Sequence, residues 1–168
     1  MPRKAQTVRH ASEFIYSTIV TEGGADAFVI QKWDLGITVG DPKALTINWV
    51  VVNIDPAAMP PAGFGGAGGW IEWAMTDQPV LALPALDSDR LIYRDGLYYV
   101  QAGVVPAGVG LFDLRRVWVP ESPIVLGGPS VFFSLDSANS GVAVSIGFRI
   151  GYSVRTASAT EYLLLRQG

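Results

Sequence analysis

From Gly141 to Arg155 the chain alternates without a break: Val142, Val144, Ile146, Phe148, Ile150, Tyr152 and Val154 occupy one set of positions, and Ala143, Ser145, Gly147, Arg149, Gly151, Ser153 and Arg155 the other. Successive side chains of an extended chain point to opposite sides, so this pattern predicts a long strand with one apolar face and one face of small or charged residues. Gly147 and Gly151 would let that strand bend or be approached closely by another backbone.

β-branched and aromatic residues predict further strands at 13–20, 26–35, 44–54, 69–75, 90–102, 111–119, 122–126, 130–135 and 160–166. Turn formers separate them: Glu22-Gly23-Gly24, Asp41-Pro42, Asp55-Pro56, Gly127-Gly128-Pro129, and the run from Asp136 to Gly141. Asp95-Gly96 predicts a tight hairpin turn over Arg94–Leu97, because that pair supplies the positive φ angles of a type I′ turn. Two segments stay open to a short helix, 8–16 and 157–165. In the second, Ser158-Ala159-Thr160-Glu161 could open a capped turn, whereas Tyr162–Leu165 also suits a buried terminal strand. The expected fold is an all-β antiparallel sandwich over residues 13–168, preceded by a basic flexible arm at residues 1–12. Residues 59–69, rich in Pro and Gly, read as a loop joining two strands.

Composition adds a surplus to account for. Charged residues are 16% of the chain, against about 25% in an average soluble domain, and the mean hydropathy is +0.31. The longest mostly apolar stretch, Tyr98–Phe112, is broken by Gln101, Pro106, Gly103, Gly108 and Gly110, so no membrane span is expected. The surplus is read as subunit interface, since obligate contacts resemble a domain core cut in half. The absence of cysteine removes thiolate and iron–sulfur chemistry and leaves the compartment open.

The charge is unevenly spread. Twelve Lys and Arg stand against 15 Asp and Glu; without Arg3, Lys4 and Arg9 of the arm, 9 remain against 15, a net −6 on the body. Such an arm can neutralise a few phosphates, which makes Arg3, Lys4 and Arg9 the residues expected to face nucleic acid.

Motifs for catalysis or cofactors fail on context. Gly63-Phe64-Gly65-Gly66-Ala67-Gly68 has the GxGxxG spacing of a dinucleotide turn, but Pro60-Pro61 precede it and a strand pattern follows, so no cofactor is expected. The single histidine, His10, lies in the arm, where it cannot be held against a nucleophile, and one His without Cys cannot make a zinc site. Asp87 and Asp89, and Asp136 with Asn139, could serve calcium or glycoside hydrolysis, but each set offers too few oxygens in sequence and reads more simply as turn residues. No enzyme is expected. Trp33, Trp49, Trp70, Trp73 and Trp118 read as core or interface aromatics. Trp70 and Trp73, three residues apart on a strand, should face opposite sides, one buried and the other free to meet a neighbour or ligand.

The basic arm from Pro2-Arg3-Lys4 to His10, the strand-and-loop rhythm from Phe14 onward and the long strand near the end together resemble the small single jelly-roll coat proteins of icosahedral viruses. The resemblance is one of architecture and spans the whole chain. It implies a single jelly roll of about 8–10 strands and a virion protein whose copies assemble with one another, with other virion proteins as further partners. It also implies weak nucleic-acid contact through the arm. The arm departs from many of them in holding only three Lys/Arg, fewer than genome packaging through it calls for; a subunit lining a capsid, or a minor or decoration protein, needs less positive charge. The rival reading is a carbohydrate-binding module or lectin on the same sandwich.

Overall fold

A computed structural model describes residues 13–38, 42–54, 69–99, 115–140 and 142–167. The strand predicted from the clearest alternation is present as β9 (Ser145–Thr156), where Ile146, Phe148 and Ile150 are buried and Arg149 and Arg155 exposed. Ahead of it come β1 (Glu13–Thr21), β2 (Val29–Asp34), β3 (Lys43–Ile54), β4 (Gly69–Thr76), β5 (Leu91–Tyr99), β6 (Arg115–Trp118), β7 (Ile124–Leu126) and β8 (Ser130–Ala138); helix α1 (Ala159–Gln167) follows it.

The strands form two antiparallel sheets. Sheet A runs β1-β9-β3-β6, with β7 also on β3, and sheet B runs β2-β8-β4-β5. β6 and β7 pair with successive stretches of β3, so they occupy one position in the sheet. Pro120 and Pro123 fall between them, and proline has no N–H to give a ladder. Counted so, the pairs β1/β9, β2/β8, β3/β6–β7 and β4/β5 nest inside one another, and the chain passes from one sheet to the other at every step except β4 to β5, which are neighbours in sheet B. That winding is a jelly roll of eight strand positions.

The two inner faces make one core, with Val20, Ile47, Val50 and Val52 of sheet A meeting Ile71, Trp73, Met75, Phe133 and Leu135 of sheet B. Aromatic stacking extends it at one edge: Trp33 lies on Tyr16 at 4.0 Å between ring centroids and meets Tyr152 edge-on. At the opposite edge Tyr93 stacks on Trp118, and its hydroxyl donates to Asp95, 3.1 Å away.

Two expectations change. Asp95 and Gly96 make no hairpin: β5 passes straight through them, pairing Gly96 with Glu72 and Asp95 with Trp73. Gly96 is there for space, since a Cβ would stand 2.8 Å from Glu72 Cγ and 3.0 Å from the Ile71 carbonyl oxygen. The terminal segment is a helix, not a strand. Ser158 caps it, its Oγ accepting from the Glu161 N–H at 3.1 Å, and Tyr162 is buried with Ile37, Ala44 and Ala157. α1 thus roofs one end of the outer face of sheet A, with Leu165 against Gly127, while Leu163 and Leu164 face outward. Among the described residues no helix is long and apolar enough to cross a membrane.

Candidate functional site

The part of the outer face of sheet A beyond α1 stays open. Register places Ile15, Gly151 and Trp49 in one row across β1, β9 and β3, then Ser17, Arg149, Val51 and Val117, then Ile19, Gly147, Asn53 and Arg115. Trp49 reaches this face only because β3 carries a bulge between Ile47 and Trp49, which shifts the alternation by one residue. Its indole lies against Gly151 and donates from Nε1 to Glu13 Oε1 at 2.8 Å, where Asn48 also donates at 3.2 Å. One side chain therefore ties three strands together across a glycine.

Beside it, Trp49, Val51, Asn53, Arg115 and Arg149 line a shallow depression of about 420 Å³. Ile15, Ile19 and Val117 flank it at 52%, 68% and 60% exposure. Glu13 is the only acid in the five strands of this sheet. Among the described residues of this face, Arg115 and Arg149 thus lie amid aliphatic side chains.

On the other side of the sandwich, the connection 77–90 between β4 and β5 folds back over sheet B. Arg94 holds it there, donating from Nη1 to the Pro84 carbonyl and from Nη2 to Glu72 at 2.6 Å. Under this cover Ala74, Thr76 and Ser134 are buried although they point away from the core, and so is much of Glu72. The loop itself presents Leu81 and Leu86, 99% and 78% exposed, with Asp87 and Asp89 also exposed beside Leu86.

A third feature sits where β1, β8 and the approach to β9 meet. Glu22, 3% exposed, accepts from Ser137 Oγ at 2.7 Å and from the Val144 N–H at 2.9 Å. Burial raises its pKa above the ordinary carboxylate value in spite of those bonds, and the nearby charges of Asp136 and Asp26 add to the rise. Asp136 is raised too, by burial first and then by Glu72 and Asp26. Asp26 moves the other way, held low by the Ser140 N–H. Among the described residues no three or more His, Cys, Asp or Glu come together to hold a metal ion.

Glu22 gives a pH test. A carboxyl whose folded pKa is raised leaves the folded state with more bound protons than the unfolded chain. Its stabilisation is complete below the unfolded value and is lost as pH rises through the folded one. Glu22→Gln removes that dependence while keeping an acceptor for Val144. Thermal melts should show the difference in Tm moving in the variant's favour between about pH 4 and about pH 8. Glu22→Ala, which orphans the Val144 N–H and the Ser137 hydroxyl, should lie about 1–3 kcal/mol below Glu22→Gln at every pH in that range. A pH-independent difference for Glu22→Gln would contradict the assignment.

Of the residues singled out from sequence, Trp73 is the buried one of the pair, in the core at 0% exposure. Trp70 is half-buried on the outer face of sheet B, opposite Tyr98, which is 67% exposed. Asp87 and Asp89 lie in the exposed loop and, among the described residues, belong to no group of three or more acids. Asp136 belongs to β8 and pairs with Glu72, while Asn139, at φ 58°, turns the chain after that strand. Arg3, Lys4, Arg9 and His10 lie outside the described residues, as does the GxGxxG segment. Sequence reasoning missed the outer face of sheet A, although Arg149 and Gly151 in the small-residue half of the β9 alternation were its signal. A smaller cleft of about 200 Å³ opens at the β2–β3 end, between Trp33, Leu35, Lys43 and Tyr152. No protein-family model matches this chain, and no curated protein matches it in sequence.

Proposed function

We propose that this chain is a structural virion protein, a capsid subunit that assembles with copies of itself through apolar surfaces and loop contacts and performs no catalysis. The observation that carries the reading is the set of large aliphatic side chains left bare on a well-filled jelly roll: Ile15, Ile19 and Val117 on the outer face of sheet A, Leu81 and Leu86 on the loop opposite. Monomeric proteins rarely concentrate such surface unless something covers it. Assembly supplies the cover, since copies that meet by complementary patches bury it in a closed array. The jelly roll supports the reading by analogy alone, because the same winding serves lectins and cupins.

Light scattering on the purified chain at low and high salt, with electron micrographs of the same samples, tests it. Particles of many subunits are the expected result, and a monomer under every condition would refute it. In this reading residues 1–10 contact nucleic acid, so their deletion should lower the nucleic-acid content of the particles. Trp70 beside Tyr98 supports a second reading, a carbohydrate-binding module, because exposed aromatic faces stack on sugar rings. That reading predicts a discrete small oligomer whose Tm rises with a glycan.

A further inference from the structure

We propose that the loop 77–90 of one copy docks on the open outer face of sheet A of a second copy. Leu81 and Leu86 would cover Val51 and Val117, and Asp87 and Asp89 would meet Arg115 and Arg149. This contact rests on the self-assembly reading and names the surfaces that meet.

The two patches match in both chemistry and sign. The loop offers two aliphatic side chains, 99% and 78% exposed, followed at once by two aspartates. The receiving face offers a depression of about 420 Å³ floored by Val51 and bounded by Arg115 and Arg149. Glu13, at the border of that face, is engaged by Trp49 and Asn48. A leucine in water gains by burial, and rim charges of opposite sign fix the register of a contact and speed its formation. The loop is also held in shape before it binds. Arg94 fixes the Pro84 carbonyl, the Asp77 N–H donates to Arg90 O at 3.2 Å, and the Ser88 N–H donates to Ala85 O at 3.1 Å. Little conformational freedom remains to be lost on docking.

A second copy suits the face better than a nucleic acid. Two arginines set among Ile15, Ile19 and Val117 leave aliphatic surface that a phosphate backbone would not cover. The loop lies over sheet B and the receiving face on sheet A, so one copy cannot satisfy both within itself. The contact is heterologous: each subunit gives a loop to one neighbour and a face to another, which builds a ring or shell wherever the rotation closes.

The test uses the full chain and compares association by light scattering and sedimentation. Asp87→Arg with Asp89→Arg, and separately Arg115→Glu with Arg149→Glu, should each weaken association at least about tenfold. All four side chains are exposed, so the melting temperature serves as the folding control. A chain carrying all four changes should recover association, which a merely structural effect would not do. Because the protein has no cysteine, Leu86→Cys mixed with Val117→Cys should form a disulfide between chains faster than either variant alone. If the wild-type chain assembles while the charge reversals leave assembly unchanged, or the fourfold variant does not recover, this contact is wrong and the assembly reading survives. If the wild-type chain is monomeric throughout, both fall. If the face variant loses binding to single-stranded DNA while association is unchanged, the face belongs to nucleic acid and the contact is refuted.

Discussion

Replacing Trp73 with alanine is expected to lower folding stability by about 3–5 kcal/mol, the range for removing a large buried aromatic. The same change at Trp70 should cost no more than about 1–2 kcal/mol, as less burial is lost there. The two residues lie three apart on β4, and the pleat sends them to opposite sides. Trp73 is fully enclosed, paired across β4 with Leu135 and packed between the sheets. Trp70 lies on the outer side between Tyr98 and Ala138. Urea unfolding of both variants measures the gap directly. For a chain of this length the Trp73 variant should melt roughly 10 °C or more below the parent. Equal losses at the two positions would mean that something also encloses the Trp70 face, and would move that face from free surface to core.

The second large effect is expected at Gly151, where any side chain competes with the Trp49 indole for the same space. A Cβ on Gly151 would fall inside the contact distance of the indole, 2.6 Å from Cζ2 among its nearest atoms. Gly151→Ala should therefore drive the ring off β9 and break its bond to Glu13, at a cost of about 1–3 kcal/mol. In a Trp49→Ala background the same glycine change should cost almost nothing, because alanine suits a strand at least as well as glycine. The coupling between the two sites, about 1–2 kcal/mol in a double-mutant cycle, is the diagnostic quantity. Additive effects would mean that the ring does not rest on the glycine. The ring forms one wall of the depression that receives the loop in the proposed contact. Gly151→Ala should consequently weaken self-association as well as folding, whereas Trp73→Ala should act through folding alone.

Much of the fold is legible in the sequence. The alternation of Ile146 to Val154 specifies both a strand and its buried side, because period two leaves one face to choose and hydrophobicity chooses it. The same rule separated Trp70 from Trp73. Turn chemistry was a poorer guide. Asp95-Gly96 has the local preference for a hairpin, but β4 offered partners along the whole of β5, and the Glu72 side chain needs the space that only glycine leaves. Pairing with a neighbour outweighed a preference worth a fraction of that. The C-terminal segment was ambiguous for a related reason: Tyr162–Leu165 is apolar enough for either structure, and docking against Ala44 and Gly127, far away in sequence, selects the helix.

The candidate surface was the least legible part. Period two along β3 would send Trp49 inward with Leu45 and Ile47; a single bulge at Asn48 turns it outward, and nothing in the local sequence marks a bulge there. The pairing of Arg149 with Val51, and of Val51 with Val117, joins residues from three distant segments, and their common face exists only once the jelly roll is wound. By itself, then, the sequence determined the class of fold, the strands and which side of most of them is buried, because those follow from short-range periodicity and the hydrophobic effect. Only the tertiary structure decided the winding of the sheets, the helix at the end, the Trp49 clamp and the two complementary surfaces on opposite sides, because each depends on which distant strands become neighbours.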